Sequence, residues 1–145
     1  MDKKLDWMKR AEEAVDHYLH LNDGGFDENM KAWFAGCDFE EQSITIGFVT
    51  QKWQINERGG IHGGAIAGMF DTAFGIVANF TAGKDEATTT DMNLCFIRPF
   101  EFGETAEIKV IVVKAGRSLI RLRAEFICRE SQKLIATGGG SWMPL

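Results

Sequence analysis

The chain has 145 residues, 45% of them hydrophobic and 26% charged, a composition that suits one globular domain with room for a real core. A formal charge of −5 and a pI near 5.2 argue against general nucleic-acid binding, which rests on clustered Lys and Arg. Cys37, Cys95 and Cys128 are odd in number, widely spaced and without a Cys-x-x-Cys, so buried free thiols are expected rather than a disulfide framework or a zinc site.

The first residues, Met1 to Trp7, are polar and lead into an amphipathic segment rather than an apolar signal core, so a cytoplasmic location is expected. Leu5, Met8, Ala11, Val15, Tyr18 and Leu19 recur at three- and four-residue intervals, which predicts a surface helix from Asp2 to about Leu21, stopped by Asn22-Asp23-Gly24-Gly25. His17 and His20 share a face near Asp16, but histidines on such a helix are ordinarily solvated, and no metal is assigned to them. Phe39 to Trp53 alternates, with Ile44, Ile46 and Phe48 on one side, and reads as a strand with one buried face. Gln54 to Ile61 carries the turn residues of a loop that re-aims the chain.

The run from His62 to Phe80 is helical in pattern and apolar on every side, so it must be wrapped by protein. Asp71 stands inside it, and a carboxylate in such surroundings is costly to keep ionised unless it has a partner or a task. Gly63 and Gly64 at the helix start let another molecule approach backbone amides that lack intrahelical acceptors and lie at the positive end of the dipole. That end is suited to hold an oxygen. Asp71, four glycines and flanking charge argue against a membrane span of roughly 20 apolar residues.

Ala82 to Glu86 breaks the helix, and strands follow. Glu104 to Lys114 is rich in Ile and Val on both faces, as a central strand would be. In Ser118 to Arg129, Ile120, Leu122, Ala124, Phe126 and Cys128 alternate with Arg121, Arg123, Glu125 and Arg129. Lys133 to Met143 closes the series, and Ala115-Gly116-Arg117 and Glu130-Ser131-Gln132 are the hairpin links. The order is helix, strand, long buried helix, then four strands. A single α+β domain over 1–145 accounts for it: five or six antiparallel strands curled around one central helix, with 1–24 as an N-terminal helical extension.

An α-helix rises about 1.5 Å and turns about 100° per residue, so Gly63 and Asp71 stand roughly 12 Å apart along the axis, and His62 and Asp71 lie on opposite faces. One chain cannot bring this acid to a carbonyl held at its own helix start. Two such helices packed antiparallel across a two-fold axis would set Asp71 of one chain near Gly63 of the other, so an obligate homodimer with two shared sites is expected.

Asn56 followed by His62-Gly63-Gly64 and, after six residues, Asp71 resembles the motif of hotdog-fold acyl-CoA thioesterases, in particular the phenylacetate-degradation thioesterase group. Thr89 to Pro99 with Gly103 resembles that group's following strand and turn, and Lys114 to Ser118 its hairpin; together these cover about residues 40 to 143. The resemblance implies a hotdog fold, a dimer whose sheets join, often paired into a homotetramer, and hydrolysis of an acyl thioester of coenzyme A without metal or cofactor. It assigns Asp71 as general base or nucleophile and the Gly63 amide as oxyanion donor. Asn56 would bind near the thioester, His62 would help orient it, and Thr89 takes the place of a hydroxyl that holds the water. Gly64, Lys114, Arg117 and Ser118 would bind substrate. The chain departs from the pattern at Met69, where leucine is common, and at Thr89, where serine is often seen.

Each of these residues also has a plain structural use. Asp71 could cap or pair within a dimer interface, His62 satisfy backbone groups at the helix start, Asn56 form a turn and Thr89 simply suit a strand. Lys114, Arg117 and Arg121 could grip coenzyme A phosphates or be solvated charges. Ile66, Phe70, Phe74 and Trp53 could line an aromatic or medium-chain acyl pocket or belong to the core. A non-catalytic acyl-CoA or small aromatic ligand-binding module is the alternative function. Hydration or dehydration of an acyl thioester, with His62 and Asp71 as acid and base, is a third.

Shared sites have a direct test. Mixing a Gly63-defective chain with an Asp71-defective one makes half of the dimers mixed by random reassortment, and one of the two sites in each mixed dimer is intact. Up to a quarter of the sites should recover turnover, and no recovery counts against two-chain sites.

Overall fold

The Asp2 carboxylate accepts the Lys4 amide at 3.1 Å, capping a helix whose first-turn amides have no acceptor within it. In the computed structural model, which describes residues 2–83 and 86–145, this helix is α1 (Lys3–Leu19). It buries Ala11 and Val15 completely, and Trp7 sets its ring edge-on to Phe39 and Phe80, at 5.5 and 5.7 Å. Leu5 and Leu19, expected on the apolar face, are 58% and 39% exposed. They lie off a buried stripe that runs through Ala11 and Val15 with Trp7 and Tyr18 at its margin.

Two elements went unforeseen. α2 (Phe26–Met30) is a single turn with Asp27 and Glu28 at its positive end, too short to show a helical period. β1 (Trp33–Asp38) is apolar on successive residues and carries a bulge between Phe34 and Gly36, so it lacks alternation. The predicted strand from Phe39 to Trp53 is only partly a strand. Phe39 to Gln42 is the turn of the β1–β2 hairpin, closed by Gln42 with φ +56°. β2 (Ser43–Val49) has Ile44, Ile46 and Phe48 buried as expected, and Lys52–Gln54 is a 3₁₀ turn.

The remaining elements are α3 (Gly63–Ala82), β3 (Ala87–Phe96), β4 (Thr105–Ala115), β5 (Ile120–Cys128) and β6 (Leu134–Pro144). Of the predicted break after α3, Lys84 and Asp85 lie outside the described residues. The hairpin links run 116–119 and 129–133, with Ala115 still in β4. All pairings are antiparallel, in the order β1-β2-β4-β5-β6-β3, so β4 is interior as predicted and β3 forms an edge ten residues long.

α3 packs on β2, β3, β4, β5 and β6, the arrangement of a hotdog fold. Phe70 and Phe74 are fully buried, and each such side chain contributes roughly 1.5–3 kcal/mol. Phe74 meets Trp142 at 4.9 Å and Phe70 meets Phe126 at 5.8 Å. By length and composition α3 is apolar enough to cross a membrane, contrary to the expectation drawn from its glycines and Asp71. Eleven of its 20 residues are buried in the chain. The wrapping is incomplete, however: Gly64 and Asp71 are exposed and Ala67 and Gly75 half-exposed, leaving one open stripe. Of the thiols, Cys128 is buried, Cys37 partly so, and Cys95 is exposed on the β3 edge, against expectation.

The close approach of β6 to its neighbours depends on glycine. A Cβ at Gly138 would lie 2.6 Å from Leu94 Cδ2 and 3.3 Å from the Phe70 ring, while one at Gly140 would strike the Asp91 carbonyl oxygen and come within 2.9 Å of the Trp142 ring. Gly140→Ala must therefore shift backbone at the β3 bulge. We expect it to lose about 1–3 kcal/mol in urea denaturation; unchanged stability would show that this contact relaxes freely.

Candidate functional site

The chain enters α3 through a loop tied at both ends. Gln54 is buried; its Oε1 accepts the Gln51 amide at 2.9 Å and its carbonyl accepts the His62 amide at 2.8 Å, while Ile61 donates to the Phe100 carbonyl at 2.8 Å. Within the loop, Asn56 Oδ1 accepts the amides of Arg58 (2.8 Å) and Gly60 (3.2 Å), and Gly59 supplies the positive φ the turn needs. Asn56 is thus a turn former, as its residue type suggests. Because the oxygen holds the loop, the amide nitrogen Nδ2 is the free end, with no acceptor among the described residues.

The start of α3 uses its amides unequally. His62 is the N-cap, and its Nδ1 accepts the Gly64 amide at 2.8 Å; the His62 carbonyl accepts from Ala65 and Ile66. Among the described residues the Gly63 N–H has no acceptor. Nor, beyond its chain neighbours and the adjoining helix backbone, does any atom of the described residues come within 4 Å of where a Gly63 side chain would begin. The glycine leaves open space at an unpaired donor.

That donor opens on a cleft of about 620 Å³ between the loop and the segment after β3. Asn56 and Gly63 line it together, with Ile66, Phe96, Arg98 and Glu101 among the other walls. His62 and Gly64 border a smaller apolar cleft of about 200 Å³ with Phe26, Trp53 and Ile55. Of the apolar residues considered for a pocket, Ile66 lines the large cleft and Trp53 the small one, whereas Phe70 and Phe74 belong to the core.

The other expected site residues lie elsewhere in the same chain. Asp71 is two turns further along α3 on the open stripe, exposed, and lines neither cleft. Burial of its surroundings and, after it, the negative charge of Asp27 push its carboxyl above the ordinary aspartate value. Thr89 is exposed on β3 opposite Trp142, which pairs in turn with Ile120. Lys114, Arg117 and Ser118 are exposed at the adjoining β4–β5 hairpin. Thr89 is seven residues from Phe96, about 23 Å along the strand, so these groups occupy the end of the sheet away from the cleft. Thr90 bonds the Ser141 carbonyl at 3.0 Å, whereas the Thr89 hydroxyl has no partner among the described residues. Arg121 is held by Asp91 (3.7 Å) and Ser141 (3.2 Å), while Lys114 and Arg117 form no ion pair among the described residues.

Sequence reasoning passed over Arg58 and Arg98, two cations that line the cleft together with the carboxylate of Glu101; Arg58 also lies 3.8 Å from Glu57. Arg98 Nη1 is steadied by the Leu134 carbonyl at 2.8 Å. Its signal was an Arg-Pro at the end of a strand, too common to single out. Asp27 was passed over with the short helix that carries it.

Residues 58–135 match the family model described as the thioesterase superfamily. Mouse acyl-coenzyme A thioesterase 13 is 28% identical over 88 residues, covering 61% of this chain and 63% of that protein. The chain spans 58% and 63% of the lengths of the curated relatives it matches. Among solved structures, the Escherichia coli PaaI protein from the phenylacetic acid degradation operon superposes with a TM-score of 0.80 at 20% identity, over 96% of both chains. A Streptococcus mutans protein solved with acetyl-CoA bound gives a TM-score of 0.68 at 20% identity, over 77% of this chain and 88% of that one. At these identities the structural likeness is one of fold.

The cap on α3 can be weighed separately from any chemistry. His62→Ala leaves the Gly64 amide without its protein acceptor and should cost about 1 kcal/mol in urea denaturation, most of it recovered by the good N-cap His62→Asn. Equal stability of wild type and His62→Ala would mean that solvent replaces the ring without loss.

Proposed function

The chain belongs to the thioesterase superfamily, and from that premise we propose that it hydrolyses an acyl-CoA thioester, with an aromatic or medium-chain acyl group, to free acid and coenzyme A. The observation that carries this reading is the Gly63 N–H: a donor at a helix start without an acceptor among the described residues, on a residue that lines a cleft and has open space where a side chain would begin. Such an amide suits the oxygen of a tetrahedral intermediate. Asn56 Nδ2, on the same cleft, is a second donor for that oxygen or the thioester carbonyl.

In this reading the acid comes from another copy of the chain. The β3 edge is unpaired over ten residues, which favours addition of a second strand. The open stripe on α3 includes Gly75, a mid-helix glycine whose missing Cβ would meet no atom of the described residues within 4 Å beyond its chain neighbours and the adjoining helix backbone, so no contact among them explains the helix propensity it forgoes. Joining two β3 edges antiparallel about Met92 and Asn93 brings Thr89 of one chain opposite Phe96 of the other, beside the other chain's Gly63 cleft. Antiparallel α3 helices likewise bring Asp71 toward that cleft. We propose an obligate homodimer, paired further into a homotetramer, in the cytoplasm; the β3 edge and the α3 stripe support the pairing of two chains.

The chemistry then balances simply. Asp71 takes a proton from water held by the Thr89 hydroxyl, and the water oxygen bonds to the thioester carbon. The carbonyl oxygen gains negative charge against the Gly63 amide and Asn56. When the intermediate collapses, the C–S bond breaks and the thiolate of coenzyme A leaves with the electron pair and takes the proton that Asp71 gained, which restores the carboxylate. Attack by Asp71 itself would instead pass through an anhydride that water opens. His62 orients the thioester beside Gly64, and Lys114, Arg117 and Ser118, with Arg58 and Arg98, meet the phosphates of coenzyme A. The Streptococcus mutans neighbour solved with acetyl-CoA supports a coenzyme A ligand on this fold.

Thiol release from a panel of acyl-CoAs, followed with a thiol reagent, tests the reading. At least one substrate should turn over, and Asp71→Asn should lose most of kcat while the assembly persists in light scattering. Binding of every acyl-CoA without release would favour a ligand-binding module, and full turnover in Asp71→Asn would remove Asp71 from the reaction.

A further inference from the structure

Two large apolar side chains stand in solvent beside the start of α3: Phe26 of α2 is 55% exposed and Trp53 of the 3₁₀ turn 58%. Both are nevertheless held in place. Trp53 Nε1 donates to Gln51 Oε1 at 3.1 Å, and Gln51 Nε2 donates to the Asn29 carbonyl of α2 at 2.8 Å. Phe26 lies against Gly68 of α3, where a Cβ would come within 2.6 Å of its ring. With its one polar atom committed to Gln51, Trp53 has only apolar surface left to offer. Walls fixed in advance spare a ligand the cost of ordering them.

These two rings line the small cleft of about 200 Å³ together with Ile55, His62, Gly64 and Ala65, and among the described residues no Asp, Glu, Lys or Arg lines it. The large cleft beside it carries Arg58, Arg98 and Glu101. Gly63 lines the large cleft and Gly64 the small one, and consecutive Cα atoms are about 3.8 Å apart. A thioester whose carbonyl sits at the Gly63 amide therefore has a charged cleft on one side and an uncharged, apolar one on the other. A further cleft with apolar lining, between Trp7 and Phe80, reaches α3 first at Val77, roughly 21 Å along the axis from Gly63. The small cleft is by far the nearer.

We propose that the small cleft is the acyl subsite and that Phe26 and Trp53 set its size, admitting an acyl group of about one ring and turning away long straight chains. The proposal rests on the reading of the chain as one that takes an acyl-CoA thioester. Volume supports the limit: an apolar cavity of roughly 150 Å³ holds a benzene molecule, so about 200 Å³ accommodates a ring with one further small group. The faces and edges of the Trp53 and Phe26 rings suit offset or edge-on contact with such a ring. Truncating either wall opens the cleft on its outer side, where both rings meet solvent.

Hydrolysis by the whole protein of acyl-CoAs from acetyl to dodecanoyl, with benzoyl among them, gives one test. Wild type should favour benzoyl over dodecanoyl, and Trp53→Ala or Phe26→Ala should raise the dodecanoyl-to-benzoyl ratio of kcat/KM about 10-fold or more. Trp53→Phe, which keeps an aromatic wall, should stay near the wild-type ratio. An unchanged ratio in both alanine variants would overturn the proposal. Dissociation of the assembly in both, seen by light scattering, would assign the cleft to the contact between chains and overturn it as well. Nitrogen-15 NMR of the Trp53 indole N–H, assigned by its loss in Trp53→Phe, is independent of turnover. S-benzyl-coenzyme A, a thioether that cannot be hydrolysed, should displace this resonance, and coenzyme A alone should not. No displacement by the thioether would overturn the proposal. Displacement without thiol release from any acyl-CoA would keep the acyl subsite and remove the hydrolysis.

Discussion

One geometric conflict organises this molecule: α3 is apolar around its whole circumference, but a sheet can cover only one side of a helix. The sheet takes the side bearing Phe70 and Phe74, and the glycines of β6 let Leu94 and the Phe70 ring come close to it. The opposite stripe, from Gly64 through Ala67 and Asp71 to Gly75, is left without cover in the chain. Burial of the first side holds the core together. The uncovered side carries the carboxylate and the small residues that let another backbone approach. The helix that contributes more to the core than any other single element thus also carries this exposed carboxylate.

Position along the same helix separates the functions. Its first turn meets the loop from Gln54 to Ile61 and the segment after β3, so Gly63 lines the large cleft. Two successive glycines there have opposite fates. The Gly64 amide is consumed by the His62 ring, and the Gly63 amide remains available. Asn56 divides its amide group in a similar way, oxygen to the loop and nitrogen to the cleft. In both cases one polar group is spent on the local structure and another is left without a partner among the described residues.

The sequence made the long features readable for physical reasons. α1, α3 and the strands β4 to β6 repeat their patterns over enough residues for period and polarity to agree, and the alternation in β5 matches its burial residue by residue. The short features were hidden. α2 spans five residues, β1 is interrupted by a bulge, and the 3₁₀ turn at Lys52–Gln54 continues an apolar pattern that looked like strand. For the site, the rise of a helix was enough to separate Asp71 from Gly63 before any coordinates. The solvent exposure of Asp71 was not readable, since a fully apolar helix does not say which of its sides the sheet will choose. Arg98 and Asp27 reach their places only through long-range contacts, to Leu134 and Thr72, that no local pattern encodes.

The His62 cap carries one further consequence, for proton traffic. A ring nitrogen that accepts an amide hydrogen must present its lone pair, so the neutral imidazole bears its hydrogen on Nε2. Toward anything outside the helix start, this side chain therefore acts as a donor. Chemistry that asks the histidine to abstract a proton, as dehydration of a thioester would, has to displace the Gly64 amide first, whereas steadying an oxygen through Nε2 leaves the cap intact.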